Sequence, residues 1–121
     1  MKFLMKNTIN YLRTYRKNTH ITQFDIAELL DLKDNSIVSR CETGQRDPNI
    51  EMLLVYHVLF EAPVESLVSN YVDVVTEHLI TTIPKLIAHI KTQERTAHTA
   101  SRIHFLSEAL TRLTKRGGNE E

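Results

Sequence analysis

The segment from Thr22 to Pro48, TQFDIAELLDLKDNSIVSRCETGQRDP, decides the fold of this chain. It predicts two short helices that are joined by a tight turn and followed by a polar loop. Thr22 is a favourable N-cap residue, and three residues later the Asp25 carboxylate can accept from backbone N–H groups that a helix start leaves free. The apolar face of this first helix holds Ile26, Ala27 and Leu30.

The second helix of the segment is predicted from about Asn35 to Glu42. Val38 and Cys41 are three residues apart and should face the core. The opposite face holds Lys33, Ser36, Ile37 and Arg40. Such a face suits the major groove of DNA, where Arg and Lys bond guanine edges and an apolar group meets a thymine methyl. For Ile37, an equally weighted interpretation is that it belongs to the hydrophobic core and does not face DNA. We interpret the segment as a helix-turn-helix.

Residues 12–68 resemble Cro/repressor-type, or XRE-like, helix-turn-helix domains, and the suspected domain covers about residues 5–69. The resemblance is carried by LRTYRKNTHITQ, IAELL, SIVSRCETGQRDPN and EMLLVYHVLFEAPVESL. It implies an all-α, five-helix lambda-repressor-like domain whose activity is sequence-specific DNA binding, often as a dimer.

The resemblance also implies the residues that bind DNA. Gln23 matches the family's phosphate-contacting residue at the start of the second helix. The residues expected in or beside the major groove are Lys33, Asn35, Ser36, Ile37 and Arg40. Contacts to the DNA backbone, or supports near it, are expected from Ser39, Thr43 and Arg46. Glu42 matches a position that holds the following loop together, and Gly44 matches a sharp turn.

The chain departs from the family pattern at three helix ends. His20, Asp31 and Glu61 stand where the family often has glycine. We expect strain of up to about 1 kcal/mol at each of these residues, because glycine alone enters the left-handed region without cost. The turn before the third helix is also about one residue longer than the commonest form, which affects the register of Lys33 to Ile37.

The charge balance opposes DNA binding overall and favours it locally. The formal net charge is zero, although contacts to phosphates provide much of the affinity of DNA-binding proteins. Residues 1–46 hold eight Lys or Arg against five acids, which leaves +3 there and −3 over the remainder. This distribution fits a basic docking face on a neutral-to-acidic molecule.

Composition sets the class of protein. The single cysteine excludes an internal disulfide. The sequence contains no signal-peptide pattern and no apolar run near 18 residues, so we expect a soluble, cytoplasmic protein without a membrane partner. The sequence has only three Gly and three Pro, and it lacks the long alternation of apolar and polar residues that is typical of β-strands. We therefore expect an all-helical protein.

The other helices of residues 1–69 follow from apolar spacing. The first is predicted from Met5 to Lys17, with Ile9 and Leu12 inward. Its basic end, Arg13, Arg16 and Lys17, has two interpretations: contact with the DNA backbone, or a solvated helix terminus. Asn49 should cap a fourth helix that ends near Phe60 and whose core residues are Met52 or Leu53, Tyr56, Leu59 and Phe60. Pro63 should begin a fifth helix over residues 64–68.

Residues 70–121 are predicted to form a C-terminal helical region for dimerisation or regulation. A long amphipathic helix is indicated by Val72, Val75, Leu79, Ile83, Leu86 and Ile90, and Pro84 should kink or split it. A shorter helix from about Ser101 to Lys115 carries Ile103, Leu106, Leu110 and Leu113. These helices pack on the DNA-binding domain or meet a second chain. We favour a homodimer that binds a near-palindrome.

No other chemistry is indicated. The six His residues have no metal-ligand spacing, and neither a nucleophile motif nor a phosphate loop occurs. We therefore expect no enzyme activity, no cofactor and no metal. Two functions remain: a transcriptional regulator, with a repressor preferred, that binds double-stranded DNA, and an antitoxin-like or other protein-interaction module that binds a partner protein through residues 70–115.

Overall fold

The regular secondary structure of the described residues is all α-helical. A computed structural model describes residues 10–117, which form seven α-helices and contain no β-strand. The helices are α1 (Leu12–Lys17), α2 (Gln23–Leu29), α3 (Ser36–Glu42), α4 (Ile50–Phe60), α5 (Val64–Leu67), α6 (Ser69–Ile90) and α7 (Ala97–Gly117). The predicted all-α class is confirmed. The chain divides into two compact units, the first ending at Val72 and the second beginning at Asp73.

The core of the first unit draws on each of its first five helices. Its buried residues are Leu12, Ile26, Ala27, Val38, Cys41, Met52, Tyr56, Ala62 and Leu67. The inward faces predicted for α2 and α3 are therefore confirmed. Leu59 is an exception on α4, because it is 44% exposed and not part of the core as expected. The Cys41 thiol is fully enclosed, and burial raises its pKa.

Local hydrogen bonds define where α2 and α4 begin. Thr22 Oγ1 accepts from Asp25 N at 3.0 Å, and Asp25 Oδ2 accepts from Thr22 N at 3.0 Å. This reciprocal capping box satisfies backbone donors that the helix start would otherwise leave unpaired. Asn49 Oδ1 accepts from Met52 N at 2.9 Å in the same way. Both predicted caps are confirmed, whereas Pro63 precedes α5 as its N-cap instead of forming its first turn.

The first helix is shorter than the sequence predicts. Asn10 and Tyr11 are not helical, and α1 begins at Leu12. The Asn10 side chain is engaged on both sides: Oδ1 accepts from Leu12 N at 3.1 Å, and Nδ2 donates to Cys41 O at 2.8 Å. Tyr11 N donates to Leu67 O at 2.9 Å. These tertiary bonds replace the helical ladder; the predicted start at Met5 and the inward Ile9 lie outside the described residues.

Three helix ends adopt the left-handed conformation without glycine. The φ angles are 67° at His20, 59° at Asp31 and 53° at Glu61. These are the three positions where the sequence predicted strain. Residues with a Cβ pay about 1–2 kcal/mol in this region. Each of these helix ends is therefore held by the surrounding structure against a local preference.

Replacing Glu61 with Gly should raise the free energy of unfolding by up to about 1 kcal/mol, because relief of the left-handed strain exceeds the entropy cost of glycine. The residue is exposed, so the change removes little packing. Urea unfolding followed by circular dichroism measures the effect. Glu51→Gly, in the first turn of α4, is the matched control and should lower stability by up to about 1 kcal/mol. A destabilised Glu61→Gly variant would contradict the strain argument.

The second unit contains the rest of α6 and all of α7. Of the two expectations for Pro84, a kink or a split of the helix, the split does not occur, because α6 continues through this residue. Ile83 and Ile90 are buried, but Leu86 is 42% exposed and falls off the predicted stripe. α7 begins at Ala97, earlier than predicted, because Thr96 N donates to Thr99 Oγ1 at 2.8 Å and Thr99 N donates to Thr96 Oγ1 at 3.2 Å. No helix within residues 10–117 has the length and apolar character needed to cross a membrane.

Candidate nucleic-acid interface

The outer face of α3 is polar and open to solvent. Ser36 and Arg40 are exposed, one turn apart, while Val38 and Cys41 anchor the other side of the helix in the core. Lys33 is exposed in the turn before α3, not on the helix itself, and Arg46 is exposed in the loop after it. Three cations therefore lie on α3 and on the two segments that flank it.

The loop after α3 is tied back to the helix. Gly44 has a φ of 81°, which forms the sharp turn that the resemblance implied. Gln45 N and Arg46 N both donate to Arg40 O, at 2.9 and 3.2 Å. Thr43 Oγ1 donates to Ser39 O at 3.0 Å and to Arg40 O at 3.2 Å. The Thr43 hydroxyl therefore caps carbonyl groups at the end of α3, and the backbone of Arg46 is held against the same helix end.

Asp34 accompanies the cations on this surface. One oxygen of its carboxylate accepts from Ser36 N at 3.0 Å and also from the Ser36 hydroxyl. These hydrogen bonds, with a smaller contribution from the charge of Arg40, lower the pKa of Asp34. The Ser36 hydroxyl thus has its hydrogen engaged and presents only its oxygen lone pairs to a ligand.

Gln23 and Asn35 form a chain of amides at the junction of α2 and α3. Gln23 Nε2 donates to Glu42 Oε1 at 3.1 Å, and Asn35 Nδ2 donates to Gln23 Oε1 at 2.9 Å. Both side chains are half-buried. The expected phosphate contact at Gln23 has to use the second hydrogen of its amide, since the first is held by Glu42. Asn35 keeps Oδ1 and one N–H free of these two bonds.

The remaining predicted residues lie closer to the core. Ile37 is half-buried, packs against the core cluster and lines a cavity of about 100 Å³ together with Leu32 and Met52. Of its two interpretations, the core residue is the one that these contacts match. Ser39 is half-buried, and its carbonyl accepts from Thr43. Ile37 and Ser39 are therefore less accessible than Ser36 and Arg40 on the same helix.

A buried ion pair holds the end of α3. Arg16 Nε donates to Glu42 Oε2 at 2.7 Å, and Arg16 Nη2 donates to Glu42 Oε1 at 2.9 Å. Tyr56 OH donates to Glu42 Oε2 at 2.6 Å, and Arg16 Nη1 donates to Ile21 O at 2.9 Å. The side chain of Glu42 has no exposed area. Since Gln23 also bonds to this carboxylate, one residue connects α1, α2, α3 and α4.

This pair corrects both sequence interpretations of Arg16, because its buried, paired guanidinium is neither solvated nor available to contact a DNA backbone. Only Arg13 and Lys17 of the basic helix end are exposed. The sequence contained a signal for the pair. Arg16 follows Leu12 by one turn and Glu42 follows Val38 by one turn, so each charge lies on the inward face of its helix.

The ion pair is charged in the folded state. Burial tends to raise the pKa of Glu42, but hydrogen bonds from Arg16, Tyr56 and Gln23 together outweigh it and lower the pKa below its ordinary value. The bond to Glu42 raises the pKa of Arg16. Burial and donation to Glu42 raise the pKa of Tyr56. The carboxylate is therefore the acid-sensitive member of the network.

Protonation of Glu42 should make the protein less stable as the pH is lowered. Its pKa is lower in the folded than in the unfolded state, so the stabilisation is complete above the ordinary value of 4.5 and is lost as pH falls towards the folded pKa. We expect the free energy of unfolding to decrease more steeply between about pH 5 and pH 3 in the parent than in Glu42→Gln, which cannot titrate there. Urea titrations across this range measure both slopes. Equal slopes would exclude Glu42 as the titrating group.

The surface around α3 thus combines three exposed cations, an amide with free hydrogen-bonding capacity at Asn35, and a rigid attachment through Glu42. These groups offer a ligand hydrogen bonds and positive charge. Comparisons of the chain with protein-family models, with curated proteins and with solved structures found no match.

Proposed function

We propose that this chain is a sequence-specific DNA-binding transcriptional regulator of the helix-turn-helix type. In this proposal α1 to α5 form a lambda-repressor-like domain, and α3 enters the major groove. The observation that carries it is the two-sided character of α3: Val38 and Cys41 are fully enclosed, while Ser36 and Arg40 face solvent between the exposed cations Lys33 and Arg46.

The side chains of this face supply the two kinds of contact that DNA recognition needs. Arg40 carries the planar guanidinium that bonds O6 and N7 of guanine, and the unused Oδ1 and N–H of Asn35 match N7 and N6 of adenine. Lys33 and Arg46 neutralise phosphates, which fixes the register without reading sequence. Glu42 accepts a hydrogen bond from Gln23, and Gln23 accepts one from Asn35, so the Asn35 amide that would contact adenine is oriented before DNA binds.

The regulator acts as a homodimer in this proposal. The apolar residues of α6 and α7 remain only half-buried in the single chain, including Val75, Leu79, Leu106, Leu110 and Leu113. A second copy covers such stripes, and two-fold symmetry places two α3 helices about one DNA turn, roughly 34 Å, apart. A dimer that occupies DNA in this way acts most simply as a repressor. The function needs no catalytic group, cofactor or metal.

Selection of bound duplexes from a random DNA pool tests the proposal. At low and at moderate salt we expect enrichment of a near-palindromic motif with half-sites about one turn apart. The logarithm of the binding constant should fall linearly with the logarithm of salt concentration, with a slope of about −0.9 for each phosphate contact. A matched pool carried through selection without protein is the control. The absence of enrichment at both salt concentrations would refute DNA binding.

A second candidate is a protein-interaction or antitoxin-like module that binds its partner through residues 70–115. The half-buried stripes of α6 and α7 favour it, as does Phe105 on α7, which is 67% exposed. The net charge of zero is also easier to explain for such a module. It would show no preference for any duplex, so the same selection experiment separates it from the regulator.

A further inference from the structure

The first unit has an apolar cleft that its own core does not explain. Leu29 of α2 and four residues of α4 line an open groove of about 420 Å³. Among them Val58 is 73% exposed and Leu29 56% exposed. The lining residues are Leu29, Leu54, Val55, Val58 and Leu59. Scattered exposed aliphatic residues are ordinary, but a contiguous set in one groove is typical of a binding surface.

Carboxylates occur close in sequence to the lining residues of this cleft on both α2 and α4. Glu51, Leu54 and Val58 follow one another at spacings of three and four, which places them along one face of α4, and Glu61 is the C-cap residue directly after the helix. Glu51 and Glu61 are both exposed. On α2, Asp25 precedes Leu29 by one helical turn. Neither α2 nor α4 contains a Lys or an Arg. The cleft is therefore lined by aliphatic residues, and the formally charged residues of the two helices that form it are all acidic.

We propose that this cleft binds a short amphipathic helix of a partner protein, with apolar residues at helical spacing and Lys or Arg on either side of them. Grooves lined by aliphatic residues accept helices through anchors at i, i+3 or i+4, and i+7. Cations on the partner complement the carboxylates of α2 and α4. Glu51 lies in the first turn of α4 and Glu61 caps its C-terminal end, so they are about 15 Å apart along the helix axis and the partner's cations should be separated by two to three turns.

The charges also decide against a second copy of this chain as the occupant. A two-fold contact would place the same cleft on both sides and bring carboxylates of one α4 against those of the other. The cleft uses none of Lys33, Arg40 and Arg46. This binding activity is therefore separate from DNA binding, and either can fail without the other.

Two synthetic peptides and the full chain provide the test. Both peptides are about 14 residues long, are helix-forming and share one pattern of leucines; one carries Lys and Arg at its flanks and the other carries Glu. Calorimetry or fluorescence anisotropy should detect saturable binding of the basic peptide. Each exposed charge pair contributes about a two- to fivefold change in affinity, so the acidic peptide should bind at least tenfold more weakly.

Variants assign the binding to the cleft. Val58→Lys places a cation in the groove at a residue that is already mostly exposed, and it should weaken the basic peptide at least tenfold while circular dichroism stays unchanged. The double variant Glu51→Lys with Glu61→Lys should reverse the preference between the two peptides. Phe24→Ala is the matched control: Phe24 is 66% exposed in the same unit but lines a different groove.

Three results would overturn the proposal. The first is the absence of saturable binding of the basic peptide, and the second is equal affinity for both peptides. The third is a self-associating parent that sedimentation shows to become monomeric in Val58→Lys, since the cleft would then be covered by a second copy. Binding of Val58→Lys to the selected duplex is measured in parallel, so a failure here is distinguishable from a failure of DNA binding.

Discussion

Replacing Glu42 with Ala should lower the free energy of unfolding of the first unit by about 3–5 kcal/mol, because it leaves the buried Arg16 guanidinium without its counter-ion. It also removes the acceptor of Tyr56 OH and of Gln23 Nε2. For a domain of this size, the melting temperature should fall by about 12 °C or more. Thermal and urea unfolding followed by circular dichroism measure the loss.

A compensated variant separates the cost of an unpaired charge from the value of the ion pair itself. Arg16→Met, Glu42→Leu and Tyr56→Phe together remove the cation, the anion and the hydroxyl. Replacement of a complete buried pair by apolar residues is often neutral or stabilising, so this triple variant should recover most of the loss. Glu51→Ala, at an exposed residue of α4, should change stability by no more than about 0.5 kcal/mol. A Glu42→Ala variant within about 1 kcal/mol of the parent would disprove the network's structural role.

Replacing Arg40 with Ala should weaken binding to the selected duplex by roughly 10- to 100-fold, the value of a two-point contact between arginine and guanine. Its side chain is exposed, so the melting temperature should be unchanged. Anisotropy titrations with the selected duplex and with a scrambled duplex measure the specific and the non-specific affinity. The loss should be confined to the selected duplex, because this contact reads a base.

Lys33→Ala provides the contrasting control for Arg40. A lysine that meets a phosphate should, when removed, weaken binding equally on both duplexes and reduce the salt slope by about one. Unchanged affinity of Arg40→Ala for the selected duplex would show that the outward register of α3 is not the one that reads DNA.

The parts of the fold that depend on neighbours in sequence were predictable. The caps Thr22 and Asn49 act through residues three positions away, and the inward faces of α2 and α3 follow from spacing alone. Local hydrogen bonding and helical periodicity determine these features. The strain at the three left-handed helix ends was expected from the resemblance alone, because His20, Asp31 and Glu61 stand where that family often has glycine.

What the sequence did not predict depends on contacts between distant segments. The start of α1 is set by bonds from Asn10 and Tyr11 to Cys41 and Leu67. The exposure of Leu59 shows that the apolar stripe of a helix is wider than the face its neighbours cover. α6 continues through Pro84 although proline removes a backbone donor.

The candidate site shows the same division. The exposure of Arg40 and Ser36 follows from the period of α3. The orientation of Asn35 could not be predicted, because it depends on Gln23 and, through it, on a carboxylate that Arg16 holds from another helix. The inward position of Arg16 and of Glu42 can each be recognised from the period of its own helix. That the two form a pair depends on how α1 and α3 pack, which the sequence does not reveal.

The alkylation rate of Cys41 can report how often α3 separates from the core. This residue is the only cysteine of the chain, it lies on the inner side of α3, and its enclosed thiol has a raised pKa. Alkylating reagents attack the thiolate, so they can modify this residue only when α3 separates from the core. The labelling rate therefore counts openings of the helix that would read DNA. A ligand that binds the closed form makes openings rarer by mass action. Binding to an operator duplex should therefore lower the alkylation rate of Cys41, and the natural cysteine is the only probe required.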